Sequence, residues 1–256
     1  MSSFTSLARI PRRSRPSAVV VASMFVLTSV AFAVPPTDCV VPDNGGTAAL
    51  PPAGCAYVAL GPLEMLNGLP PGEPVWWSDA VLSSFFNVVY QAGSVPGSEI
   101  QQFHATLAAN LQGTGSSASL HRPAFFDVFC EMESAPRPPS TISQSFLTDL
   151  LQLQGQLPPG DPDFDLLRIT AGTGFGMPSP GHTTLTAVGG GGGGAGGWAV
   201  DSFFDITYRI DFIGKPGGVL GGMSGSTTGT IRMQCGTGGT VATANDSWGN
   251  IKAQFR

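Results

Sequence analysis

One short string of this chain occurs twice, and each copy is followed at a distance by a second matching block. Leu66-Asn67-Gly68-Leu69-Pro70-Pro71-Gly72-Glu73-Pro74 returns as Leu153-Gln154-Gly155-Gln156-Leu157-Pro158-Pro159-Gly160-Asp161-Pro162. Downstream, Phe103-His104-Ala105-Thr106-Leu107 is matched by Phe204-Asp205-Ile206-Thr207-Tyr208. Each block opens an alternating strand that runs to a glycine-containing turn and a further strand. A fixed order of matching elements predicts two related strand-rich units in one body. Pro-Pro-Gly itself predicts a tight turn, because proline fixes φ and glycine tolerates the positive φ that a type II turn requires.

The strand periodicity is clearest at Phe204, Ile206, Tyr208, Ile210 and Phe212, which alternate with Asp205, Thr207, Arg209 and Asp211. One apolar and one polar face is the pattern of an antiparallel sheet wet on one side. Phe103, Ala105, Leu107, Ala109 and Leu111 alternate in the same way. Strands are also predicted at 75–82, 85–91, 124–133, 164–171, 182–188 and 226–234. Pro62 to Leu66 reads as one helical turn, and 145–154 fits either helix or strand. The fold class that follows is all-β: two tandem antiparallel β-sandwich-like units, at 34–138 and 139–235, related by duplication. The 35 glycines and 22 prolines agree with a chain of many turns. The glycine run at 189–194 is followed by Trp198 and a strand, so it reads as a hairpin insertion; a phosphate loop would need Gly-Lys-Ser/Thr or a following helix.

The first 33 residues read as a signal peptide. Arg9, Arg12, Arg13 and Arg15 precede the apolar run Ala18 to Val30 and then Ala31-Phe32-Ala33. Small residues at the first and third of those positions suit signal peptidase, and cleavage is expected after Ala33. The apolar run of about 13 residues is short for a membrane span of roughly 20. Removal of those four arginines, with no acid, takes the formal charge from −5 to −9. Such acidity disfavours nucleic acid and anionic membrane surfaces, which are bound by clustered Lys and Arg. The expected location is secreted, periplasmic or cell-surface, without stable membrane insertion after cleavage. Residues 236–256 read as a linker and short C-terminal tail, in which Trp248, Ile251 and Phe255 share a helical stripe. That stripe either docks on the body or is a handle for another protein.

Export makes disulfides the natural reading of Cys39, Cys55, Cys130 and Cys235. Strand phase points Cys130 and Cys235 inward, which favours Cys130–Cys235 with Cys39–Cys55. Cys55–Cys130 with Cys39–Cys235 stays open. No cysteine or histidine pair has zinc spacing.

The chemistry-bearing residues are sparse. His104, His121 and His182 lie near no nucleophile elbow or metal-binding helix motif. Carboxylate pairs such as Glu131 with Asp205 or Asp211 could serve a glycosidase, but no pattern singles them out. Asp161, Asp163 and Asp165 place oxygen ligands at alternate positions, which suits calcium. An EF-hand-type loop would want glycine at 166 and glutamate at 172, where this chain has Leu166 and Gly172; the competing reading is a polar turn entering a strand.

Leu50-Pro51-Pro52-Ala53-Gly54-Cys55, the string Leu69 to Gly72, Thr170 to Gly176, Pro178 to Leu185 and Val200 to Ile206 together resemble an uncharacterised family of secreted, glycine-rich, β-repeat bacterial proteins. The resemblance spans roughly residues 45–235. It implies export and β architecture, and it implies no reaction and no catalytic residue. The ending from Ser247-Trp248 is similar to short tails on other exported bacterial proteins. The expected function is thus a non-enzymatic extracellular structural or interaction protein with a protein or glycan partner and no cofactor. The alternative is a secreted hydrolase using scattered carboxylates and a calcium ion.

Overall fold

The structure, a computed structural model, describes residues 38–137, 142–189 and 196–236. The expected signal peptide, its cleavage site, the C-terminal stripe and most of the glycine run lie outside the described residues. Among the described residues, eleven strands form one antiparallel sheet: β1 (Val40–Pro42), β2 (Tyr57–Ala59), β3 (Leu63–Met65), β4 (Val75–Ala92), β5 (Glu99–Gly113), β6 (His121–Ser134), β7 (Ser143–Gln156), β8 (Phe164–Ala171), β9 (Pro180–Val188), β10 (Gly197–Gly214) and β11 (Ser224–Cys235). The all-β, antiparallel class is therefore as expected.

The sheet closes on itself. Strands β2 and β3 pair successively along one edge of β4, at 81–82 and 75–77, and so occupy a single strand position. Strands β8 and β9 likewise share one position between β7 and β10. Consecutive positions pair throughout, and β11 returns to β2 through Met233↔Ala59 and Gln234↔Val58. The result is an up-and-down barrel of eight positions, with β2/β3 first and β11 eighth. One closed ring thus replaces the two packed sandwiches expected from the repeat. The stretch near 138, expected to separate two units, joins β6 to β7, which pair with each other from Asp127↔Gln156 to Ser134↔Thr148. The two Leu-Pro-Pro-Gly turns do hold related places. One joins the first position to the second and the other the fifth to the sixth, with φ of 78° at Gly72 and 92° at Gly160. Phe103 and Phe204 stand at the third and seventh positions.

Alternation fixes which wall faces in. Phe103, Leu107, Leu111, Phe126, Val128, Leu153, Ile169, Phe204, Ile210 and Phe212 are buried in the interior. Gln102, Thr106, Asn110, Asp127, Asp205, Thr207, Arg209 and Arg232 line the outside. An eight-position barrel is just wide enough for its own side chains to fill. Among the described residues, an interior void of about 10 Å³ lies between Tyr57, Leu82, Phe103, Met132, Leu150, Phe204, Ile206 and Met233. That is room for about one water, too little for a ligand cavity. An apolar interior with a polar exterior is also the reverse of a lipid-facing barrel, whose apolar band points outward.

The segment 38–56 packs under one end of the barrel, burying Cys39, Val41, Ala48 and Leu50. Polar contacts tie it there. The Trp198 indole N–H donates to Asp43 Oδ1 (2.7 Å), Gln144 Nε2 to the Gly46 carbonyl (2.7 Å), and Arg137 to the Ala48 carbonyl (2.6 Å). Arg137 also lies over the Phe146 ring, 5.1 Å from its centroid.

Three local features are decided by strand pairing. Pro62 to Leu66 contains the short strand β3 instead of a helical turn, because Leu63 and Met65 turn into the core while the backbone pairs with β4. The ambiguous 145–154 stretch is strand, held by β6 on one side and β8/β9 on the other. The strands expected at 75–82 and 85–91 are one bulged strand. Its ladder with β5 shifts at three places, and Asp79, Ser84 and Asn87 have φ of 52°, 57° and 53°. Each shift lets a polar residue take the left-handed conformation that Asn, Asp and Gly tolerate best. The units Ser84-Phe85-Phe86 and Asn87-Val88-Val89 then repeat one plan: polar bulge, apolar inward, apolar outward. Such bulges add the curl that closing a small barrel demands.

The cysteines follow the ring geometry. Cys39 and Cys55 are disulfide-bonded, as favoured from sequence. The expected Cys130–Cys235 bond is absent, and both thiols are free and buried. Both do point inward, but β6 and β11 are the fourth and eighth positions, on opposite sides of a filled barrel. Disulfide geometry needs Cα atoms within about 7 Å.

Candidate functional site

With the interior filled, the chemistry available to a partner lies on the outer wall. The bulges of β4 re-aim its second half so that Phe86, Val89 and Tyr90 stand 43%, 51% and 47% exposed. Register then lines up aromatic rings across three strands, with Phe86 opposite His104 and His104 opposite Phe129. The Phe86 and His104 rings lie 5.5 Å apart at 28°, and His104 meets Phe129 edge-on at 5.7 Å. His104 Nδ1 is 3.1 Å from Asp127 Oδ1, which fixes the ring's orientation. Gln102 Nε2 donates to Glu131 Oε2 (2.6 Å) and Gln91 Nε2 to Gln102 Oε1 (3.0 Å) in the neighbouring row. The wall thus carries a row of rings flanked by amides and carboxylates. Phe125, 59% exposed, extends it along β6.

A smaller patch stands half a ring away. His182 of β9 stacks on Phe203 of β10 at 6.3 Å, and the Arg232 guanidinium lies 4.1 Å over the same ring. Asp205 holds that guanidinium through two hydrogen bonds of 2.7 Å.

A third cluster escaped sequence reasoning. Glu133 and Asp149 are directly opposite in the β6–β7 ladder and both point outward. Like charges in that relation repel. Glu133 is nevertheless 4% exposed, roofed by the β4–β5 loop, whose Ser94 N–H (2.5 Å), Ser94 hydroxyl (2.7 Å) and Ser98 hydroxyl (2.7 Å) all donate to its Oε1. Asp149 lies beside the turn that interrupts the β8/β9 position and accepts from the Thr173 hydroxyl (2.8 Å). Burial pushes its carboxyl up to about 6, the Thr173 hydrogen bond opposes this, and the Glu133 charge adds to it. The only available signal was the Glu133-Ser134 and Thr148-Asp149 placement on strands whose pairing the sequence did not reveal.

The residues singled out from sequence are dispersed. Asp161 and Asp163 meet at Arg122, whose Nη2 donates to both Asp161 oxygens and whose Nε donates to Asp163 Oδ2 (2.9 Å). Asp161 Oδ1 also accepts the Asp163 and Phe164 backbone N–H groups at 3.0 and 3.1 Å. Asp165 is exposed on the other face of β8 from buried Phe164. The three aspartates expected to converge on calcium therefore do not converge. A guanidinium occupies two of the carboxylates, and the motif works as a pinned turn. Glu131 stands on β6, whereas Asp205 and Asp211 stand on β10, three ring positions away and bound to arginines. His121 is exposed at the start of β6 opposite Gln112. Among the described residues, one group of three metal-ligating side chains converges: Cys39, Cys55 and Cys235. No protein-family model, curated protein or solved structure matches the chain.

Proposed function

We propose that this protein is an exported, non-enzymatic binding module that engages an extracellular glycan through the outer wall of its barrel at Phe86, His104 and Phe129. One observation carries the reading: the barrel interior is filled, while three aromatic rings stand in register on the outside. A pyranose presents a face of C–H bonds that packs on an aromatic ring, and its hydroxyls need the amides and carboxylates that flank this row. Gln102, Asp127 and Glu131 supply them. The acidic charge and the disulfide support an extracytoplasmic setting. The test is retention of the purified protein on a panel of immobilised polysaccharides. Retention that weakens about tenfold, or ~1.4 kcal/mol, in Phe86→Ala and Phe129→Ala supports the reading. Retention on no polysaccharide, or retention unchanged in both variants, overturns it.

A second reading, a secreted hydrolase, is favoured by the Glu133–Asp149 pair. One carboxyl raised to about 6 beside a second carboxylate is the arrangement that general acid–base chemistry uses. Turnover of a polysaccharide by the wild type, lost in both Glu133→Gln and Asp149→Asn, would select it.

A further inference from the structure

The Cys39–Cys55 disulfide has a third sulfur beside it. Cys235 ends β11, opposite Ser202 of β10, and its Sγ lies with the other two inside a cluster in which every sulfur is within 4.8 Å of the rest. Three different segments deliver these sulfurs. Cys39 immediately precedes β1 and is anchored by its carbonyl, which accepts the Val200 N–H (2.9 Å). Cys55 leads into β2, and Cys235 closes the ring beside that strand. Thiol–disulfide exchange begins with a thiol within reach of a disulfide sulfur, and here the fold itself supplies both partners.

We propose that Cys235 is the resident exchange thiol of the Cys39–Cys55 disulfide, and that the protein converts by internal exchange to a Cys39–Cys235 linkage with Cys55 free. In the exchange, Cys235 loses its proton and its Sγ attacks Cys39 Sγ. The Cys39–Cys235 bond forms as the Cys39–Cys55 bond breaks, and the departing Cys55 sulfur takes the proton. One disulfide and one thiol exist before and after, so no oxidant or reductant is consumed. Cys55 is the expected leaving sulfur because it is half-buried, whereas Cys39 is 4% exposed and a thiolate there would be poorly solvated. The exchange turns a buried thiol into a more accessible one. It also replaces a small loop, closed across a separation of 16 residues, with a bond from the N-terminal segment to the last strand.

The surroundings set the rate. Burial pushes the Cys235 thiol up to about 12, the Asp201 charge adds to this, and a hydrogen bond with the Ala56 backbone opposes it. Tyr57 is the other titratable group facing Cys235, and burial holds its phenol protonated. The thiolate is therefore scarce near neutrality, and the exchange rate should rise about tenfold per pH unit until Cys235 ionises.

The purified, unreduced full chain is incubated without added thiol at pH 7, 8, 9 and 10, quenched in acid, alkylated and peptide-mapped without reduction. The expected result is a Cys39–Cys235 peptide that accumulates about tenfold faster per pH unit, at a rate independent of protein concentration, with matching alkylation at Cys55. The Cys235→Ser variant should keep only Cys39–Cys55, and Cys55→Ser, exported under oxidising conditions, should carry Cys39–Cys235. Cys39–Cys55 as the sole linkage of the wild type at every pH, or scrambling whose rate scales with protein concentration, overturns the proposal. The wild-type arm needs no variant to fold.

Discussion

The ring closes at its weakest pairing, and one side chain substitutes there for missing ladder bonds. Strand β11 meets β2 through two residue pairs and the Leu60 N–H to the Arg232 carbonyl (2.9 Å). Beyond Pro62, side chains take over. The Glu64 N–H donates to Tyr208 Oη (3.0 Å), and the Leu66 and Asn67 N–H groups donate to Thr227 Oγ1 (2.9 Å each). Tyr208 reaches β3 from β10 by lying across Gly229 of β11, the residue opposite it in register. A Cβ at 229 would sit 2.5 Å from Tyr208 Oη and 2.7 Å from Cζ, so Gly229→Ala must displace the ring. Overpacking of this kind costs about 1–3 kcal/mol. Tyr208→Phe keeps the ring and removes only the acceptor of a half-buried N–H, which costs about 1 kcal/mol. Both changes lose the same hydrogen bond, so in combination they should fall short of their sum by about 1 kcal/mol. Urea unfolding followed by tryptophan fluorescence reads all three variants. At roughly 2–4 °C per kcal/mol for a chain of this size, Gly229→Ala should also lower Tm by several degrees. A Gly229→Ala midpoint equal to wild type, or strict additivity, would refute this account of the seam.

Other outcomes follow from single features. Asp149 has a folded carboxyl raised above its unfolded value of 3.8 to about 6, so its contribution favours folding below about pH 4 and is lost as pH rises through 6. Asp149→Asn should stabilise the protein at pH 8 by about 1 kcal/mol, after discounting for partial exposure, and leave pH 4 unchanged; thermal melts at the two pH values decide. Asn87→Val should destabilise by about 1–2 kcal/mol because a β-branched residue resists φ of 53°, while Asn87→Gly should be nearly neutral in urea titrations. If the repeat reflects duplication, superposing 57–133 on 145–235 should bring Gly72 onto Gly160 and Phe103 onto Phe204, and unrelated placement of those pairs contradicts it.

Strand content was legible because alternation is a local property. Phe164 to Ala171 has the expected limits, and the Phe204 to Phe212 face turned inward as its pattern required. Closure was not legible, because a sandwich and a barrel impose the same alternation and differ only in whether the last strand finds the first. The two β2–β11 residue pairs that decide this join positions about 175 residues apart. Pro62 suggested a helix start, yet tertiary pairing to β4 held Leu63 and Met65 extended. Of the site, His104 was visible as an outward residue, but its partners were not. Phe86 faces outward because the bulge at Ser84 reverses the phase shift made at Asp79, and Phe129 meets His104 only through register. The Asp161 to Asp165 pattern misled because the cation that satisfies it, Arg122, arrives from another strand.

The most direct test of the outer-wall account maps where a retained polysaccharide fragment touches the protein, by chemical-shift changes on titration. The account predicts changes centred on the ring resonances of Phe86, His104 and Phe129, with Phe103 and Phe204 inside the barrel unmoved. Changes centred on Glu133 and Asp149 or on the interior rings, with the outer row silent, would contradict it.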